Sequence, residues 1–184
     1  MIHHRRGKDA PGVLHPESIR SRLARHSQEV MAQRDAVWPA AMRALAIHEG
    51  EGQGLIHADV HIGNWYRTAA GKMGLCDWQC LSRGHWSRDF AYAVTAALTA
   101  DDRRMWEKDL LVHYLERFAE LTGSRLDFDQ IFRHYREQMV HALLMWTITL
   151  CHSPLLPNMQ PETTLTMIER ITTAMADLNS IDGF

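Results

Sequence analysis

The sequence predicts a mainly helical α+β domain. Three observations carry that reading. Apolar residues recur at helical spacing through most of the chain, and one short hairpin pattern surrounds Gly71. A hydrophobic content of 46% over 184 residues suffices for one domain with a sizeable core. Net charge is −2 with histidines neutral, which gives no electrostatic reason to expect nucleic acid or an anionic membrane as partner. No apolar run is long enough to span a bilayer, and no signal-peptide core follows Met1. Cys76, Cys80 and Cys151 are odd in number and form no CxxC pair. They read as reduced thiols of a cytoplasmic protein, with no disulfide frame or zinc site.

Residues 1–15 lack periodicity and read as a flexible N-terminus, with the domain proper at 16–184. Pro16 opens a helical pattern through Ile19, Leu23, Val30 and Met31 to Val37. Pro39 should break it or start a second helix, with Met42, Leu45 and Ala46 inward. Gly50, Gly52 and Gly54 end that helix, and a short strand at Leu55-Ile56 follows. Trp65–Arg67 and Met73–Cys76 flank a turn at Ala70-Gly71-Lys72, the pattern of a hairpin. The remainder reads as helices: Arg88–Leu98; a helix capped by Asp101 that ends near Gly123; Phe128–Leu150 behind an Asp127/Gln130 capping box; and a last helix opened by Pro161. Met139, Leu143, Met145 and Trp146 fall at helical spacing and are expected in the core.

The chemistry concentrates in His57-Ala58-Asp59-Val60-His61-Ile62-Gly63-Asn64 and in Asp77. Asp59 and Asn64 are five positions apart, and Asp77 follows Asn64 by thirteen. A kinase active site uses this order: a carboxylate to accept the hydroxyl proton, an amide for metal, then a carboxylate for metal. Asp59 is the candidate catalytic base. Asn64 and Asp77 are the candidate metal ligands, hard oxygen donors that suit Mg²⁺. The bland alternative makes Asp59 and Asn64 turn formers and Asp77 a helix cap or loop residue, but the joint spacing around a hairpin is harder to reach by chance.

Residues 55–93 resemble the aminoglycoside phosphotransferase and choline-kinase-like family, small-molecule relatives of protein kinases. The resemblance implies a kinase-like C-terminal lobe that transfers phosphate from ATP, with Mg²⁺, to a hydroxyl of a small molecule. It implies that His57 supports the loop by packing and hydrogen bonding, and that Asp89 binds the loop backbone from the start of its helix. Ala58 departs from the glycine more usual in the family, which makes a positive φ costlier there. Neither a Gly-rich phosphate loop nor a strand Lys is found before Asp59, so the nucleotide-binding residues are unknown. Gly50-Glu51-Gly52-Gln53-Gly54 follows a helix and precedes a strand, the reverse of a dinucleotide fingerprint. The expectation is therefore a truncated form or a stand-alone lobe, able to associate through the face left by a missing N-terminal lobe.

Two other readings stand beside this one. The chain could be a non-catalytic, pseudokinase-like binding module. Less favoured is a metal-dependent hydrolase using His57, Asp59 and His61. Trp78 is read as a packing residue, and Glu107, Asp109, Glu116 and Glu120 as a solvated helix surface.

Overall fold

The computed structural model describes residues 34–50, 52–150 and 159–181. The expectations for the N-terminus, the helix before Arg34 and Cys151 lie outside the described residues. Helix α1 (Arg34–Glu49) is followed by β1 (Gln53–Ile56), the hairpin β2 (Trp65–Arg67) and β3 (Met73–Leu75), then β4 (Ser82–His85). Helices α2 (Ser87–Ala97), α3 (Ala100–Thr122), α4 (Phe128–Ile148) and α5 (Pro161–Asp177) complete the order. The result is mainly helical with two small antiparallel sheets, an α+β fold. No helix among the described residues is long and apolar enough to cross a membrane.

Helix α4 is the hub, in contact with α1, α2 and α5. Its residues Tyr135, Met139, Leu143 and Trp146 are buried against Ala91 and Tyr92 of α2 and Ile171 and Met175 of α5. Met145, expected inside, is 36% exposed; it precedes Trp146 and so points about 100° round the helix from it, at the edge of the buried stripe.

Pro39 does not break α1, and the helix passes through it. The flanking turns are held from elsewhere: Ala40 and Ala44 are buried in the core, and Gln138 Nε2 donates to the Ala44 carbonyl at 2.6 Å. The same geometry corrects the inward face. Met42 is 47% and Leu45 41% exposed, and Ala46 is also exposed, because the small alanines take the close contact with α4.

Local signals set several boundaries. Gly123 ends α3 with φ 73°, a conformation that a side chain would strain. The cap at the other end is Thr99 and not Asp101: its hydroxyl accepts the Asp102 N–H, and both aspartates sit inside the first turn, where the helix dipole favours them. Asp127 caps α4 by accepting the Gln130 N–H at 2.9 Å, and Pro161 occupies the first turn of α5. Glu107 is not part of a solvated surface. It is buried between α3 and α4, accepting from Arg103 at 2.8 Å and from Tyr135 at 2.9 Å.

Strand β4 has no counterpart in the sequence pattern. It pairs with β1 in the register Gln53↔His85 through Ile56↔Ser82. Gly84 admits the pairing because a Cβ there would lie 2.0 Å from the His48 ring. The pairing ties the strand that enters the 57–64 loop to the strand that enters α2. The hairpin register Trp65↔Leu75 and Arg67↔Met73 does the same for the other end of the loop and for Asp77.

Candidate active site

The 57–64 loop is held from three directions. From α2, Asp89 accepts the His57 N–H at 2.6 Å and the Ala58 N–H at 2.9 Å, one on each carboxylate oxygen. Burial raises the Asp89 carboxyl above its usual range, while these two donors, His57 and Arg88 pull it back. Ala58 takes φ 65°, so a non-glycine residue carries the left-handed turn that points successive N–H groups at Asp89.

The second hold comes from the hairpin through His57, whose ring is buried. Its Nε2 lies 2.8 Å from the Cys76 carbonyl oxygen, which can only accept, so Nε2 carries the proton. Nδ1 is then the acceptor for the Asp59 N–H at 3.3 Å. The Trp78 ring rests on His57 with centroids 4.7 Å apart, although Trp78 itself is half exposed.

Asn64 supplies the third hold. It ends the short 3-10 turn Ile62–Asn64 and is buried. Its Nδ2 donates to the Asp59 carbonyl at 2.8 Å and to Asp59 Oδ2 at 3.3 Å. With the amide nitrogen turned to Asp59, Oδ1 is the atom left to bind a cation. The Asn64 carbonyl accepts the Cys76 N–H at 2.8 Å. Cys76 is therefore pinned through its N–H to Asn64 and through its C=O to His57, and the next residue is Asp77.

Asp77 is exposed, adopts φ 60° and ψ 61°, and makes no side-chain cap to the 3-10 turn Trp78–Cys80 that follows. Capping thus does not account for it. Direct hydrogen bonds join Asp59, Asn64, His57 and Asp89 into one group. Asp77 joins through its backbone neighbour Cys76.

The Asp59 carboxylate keeps a quarter of its side chain exposed. Its Oδ1 accepts the Tyr92 hydroxyl at 3.4 Å, and its Oδ2 lies 3.7 Å from His61 Nε2. His61 Nδ1 meanwhile accepts the Gly63 N–H. The sequence assigned Tyr92 no role. The available signal was its place three residues after Asp89, on the same helix face.

A metal site built on His57, Asp59 and His61 does not fit this geometry. Both ring nitrogens of His57 are engaged, which leaves no lone pair for a metal, and no group of three His, Cys, Asp or Glu side chains among the described residues could hold a metal ion.

No curated protein and no solved structure matches the chain. A family model does, over residues 3–127, more than half of the chain and a span that includes the loop, Asp77 and Asp89. On that match, and with the loop residues arranged as described, the chain belongs to the phosphotransferase enzyme family.

Proposed function

We propose that residues 16–184 form a kinase-like C-terminal lobe that transfers the terminal phosphate of ATP to a hydroxyl of a small molecule. One observation carries this reading most: Asn64 Nδ2 donates to the Asp59 carbonyl and to Asp59 Oδ2, which ties the proposed amide ligand to the proposed base with its nitrogen turned toward Asp59. Phosphoryl transfer asks the protein mainly for placement and charge. Asp59 orients the acceptor hydroxyl and takes its proton. Asn64 Oδ1 and the Asp77 carboxylate would hold Mg²⁺, and this donor set of one neutral and one charged oxygen suits a hard cation that keeps several waters. When bound, Mg²⁺ neutralises charge on the nucleotide phosphates. His57 and Asp89 keep the loop in register and touch neither substrate nor metal.

The test uses Mn²⁺ in place of Mg²⁺, read by paramagnetic broadening of backbone amide signals with and without ATP. Broadening should centre on Asn64 and Asp77, persist in Asp59→Asn and vanish in Asp77→Asn. Broadening that survives Asp77→Asn, or that centres elsewhere, overturns the assignment.

A further inference from the structure

Helix α2 reaches the loop at two points on one face. Asp89 holds the backbone N–H groups just before Asp59. Three residues later, Tyr92 turns its hydroxyl onto Asp59 Oδ1 at 3.4 Å. Tyr92 is only 4% exposed, and its ring stands perpendicular to that of Trp146, itself 2% exposed. The phenol therefore has little room to swing away. Burial first, and the neighbouring Asp59 second, raise it above the ordinary tyrosine range, so it stays a protonated donor.

The other oxygen of Asp59 is held independently. Oδ2 accepts from Asn64 Nδ2 at 3.3 Å, and Asn64 sits in the 3-10 turn and not on α2. A carboxylate held at one oxygen can still rotate about that contact. Held at both, by donors on two separate elements, it presents one fixed edge. We infer that Tyr92 is a positioning residue, whose hydroxyl fixes the orientation of the Asp59 carboxylate that receives the acceptor hydroxyl. The inference rests on the reading of Asp59 as the base, but the contact it invokes can be measured without turnover.

Tyr92→Phe removes the hydroxyl and keeps the ring. In the isotope-labelled full chain, three-bond couplings to the Asp59 carboxyl carbon should report one χ1 rotamer in the wild type. In Tyr92→Phe they should report averaging, with hydrogen exchange at the His57 and Ala58 amides unchanged, because Asp89 still holds the backbone. A single Asp59 rotamer in Tyr92→Phe, or averaging already in the wild type, overturns the inference. A second variant covers a Tyr92→Phe chain that does not fold. In Asp59→Ala, exchange of the Tyr92 hydroxyl hydrogen should quicken by roughly tenfold, the loss expected for a hydrogen bond to a charged acceptor; an unchanged rate overturns the inference. Where phosphoryl transfer is measurable, Tyr92→Phe should lower kcat and leave KM for ATP unchanged, and an equal rise in KM overturns it. Transfer that survives Asp59→Asn removes the base and with it the catalytic meaning of Tyr92, while the rotamer and exchange results would still stand as contacts.

Discussion

Asp89 and His57 lie 32 residues apart in sequence, yet the Asp89 carboxylate accepts the His57 backbone N–H at 2.6 Å, and the Ala58 N–H beside it. One side chain on α2 thus sets the entry of the loop that carries Asp59. Asp89→Asn replaces one acceptor oxygen with a donor and leaves a buried N–H without a partner. Stability should fall by about 1–3 kcal/mol. Amide exchange at His57 and Ala58 should accelerate beyond the change elsewhere in the chain, and uniform acceleration would contradict a local role.

Ala58 at φ 65° pays a backbone cost that glycine avoids. An ordinary Ala→Gly change destabilises, because glycine loses more freedom on folding. Here the left-handed conformation costs alanine about 1–2 kcal/mol, which exceeds that loss. Ala58→Gly should therefore leave the chain as stable or up to about 1 kcal/mol more stable in urea denaturation. A clear loss of stability would show that the turn is not left-handed in solution.

The proposed roles of Asp59 and Asp77 separate in kinetics. Asp59→Asn should lower kcat by on the order of 10²–10⁴-fold, the worth of a general base, with Mg²⁺-nucleotide binding largely kept. Asp77→Asn should weaken that binding itself, because it removes the charged ligand. Steady-state kinetics with calorimetry on each variant distinguishes the two. Equal effects on binding would merge the roles.

Arg103 is 1% exposed, and its guanidinium pairs with Glu107 on its own helix and with Asp177 at the end of α5. Tyr135 on α4 donates to the same Glu107 oxygen. Glu107→Leu leaves the buried Arg103 guanidinium with Asp177 as its partner and the Tyr135 hydroxyl without its acceptor, and should cost about 1–3 kcal/mol. Adding Arg103→Leu should recover part of that loss, since two apolar side chains can replace a buried pair. Chemical denaturation of both single variants and the double variant tests this, and strict additivity would rule out the coupling.

Four histidines meet where α1, β4, α2 and α4 pack together. Burial lowers His48, His85, His134 and His141, to about 4 for His85 and about 3 for His141. Arg88 lies 2.9 Å from His48 and also depresses His141; Arg133 depresses His134; Glu49 and Asp89 act the other way on His48. The His85 and His134 rings are 4.9 Å apart. These groups take up protons on unfolding below their ordinary value of 6.5. Stability is thus full above about pH 6.5 and falls as pH drops toward 4 and then 3, by at most about 1.4 kcal/mol per pH unit for each histidine. Asp89, raised in the fold, opposes this only near the carboxylate range. Denaturation midpoints between pH 7 and pH 4 should fall, and His85→Asn should flatten the slope. A midpoint independent of pH would exclude the cluster as a source of acid sensitivity.

What the sequence alone determined is local. The hairpin around Gly71, the stop at Gly123, the Asp127 cap and the turn from Asp59 to Asn64 depend on residues within a few positions of one another, where turn, cap and loop rules act, and the hairpin carries Asp77 back toward that turn. Tertiary structure decided the rest. Ser82-Arg83-Gly84-His85 shows no strand alternation and becomes β4 because β1 offers it partners. Pro39 stays inside a helix because Ala40, Ala44 and Gln138 fix the turns around it. Glu107 carries a charge at a helical position and still goes inside, because Arg103 and Tyr135 meet it there from two helices. Tyr92 finds Asp59, 33 residues earlier, because the β1–β4 pairing brings α2 against the loop. Local patterns encode what a residue does to its own turn of chain; a buried charge or a long-range hydrogen bond depends on partners that only the packed fold brings within reach.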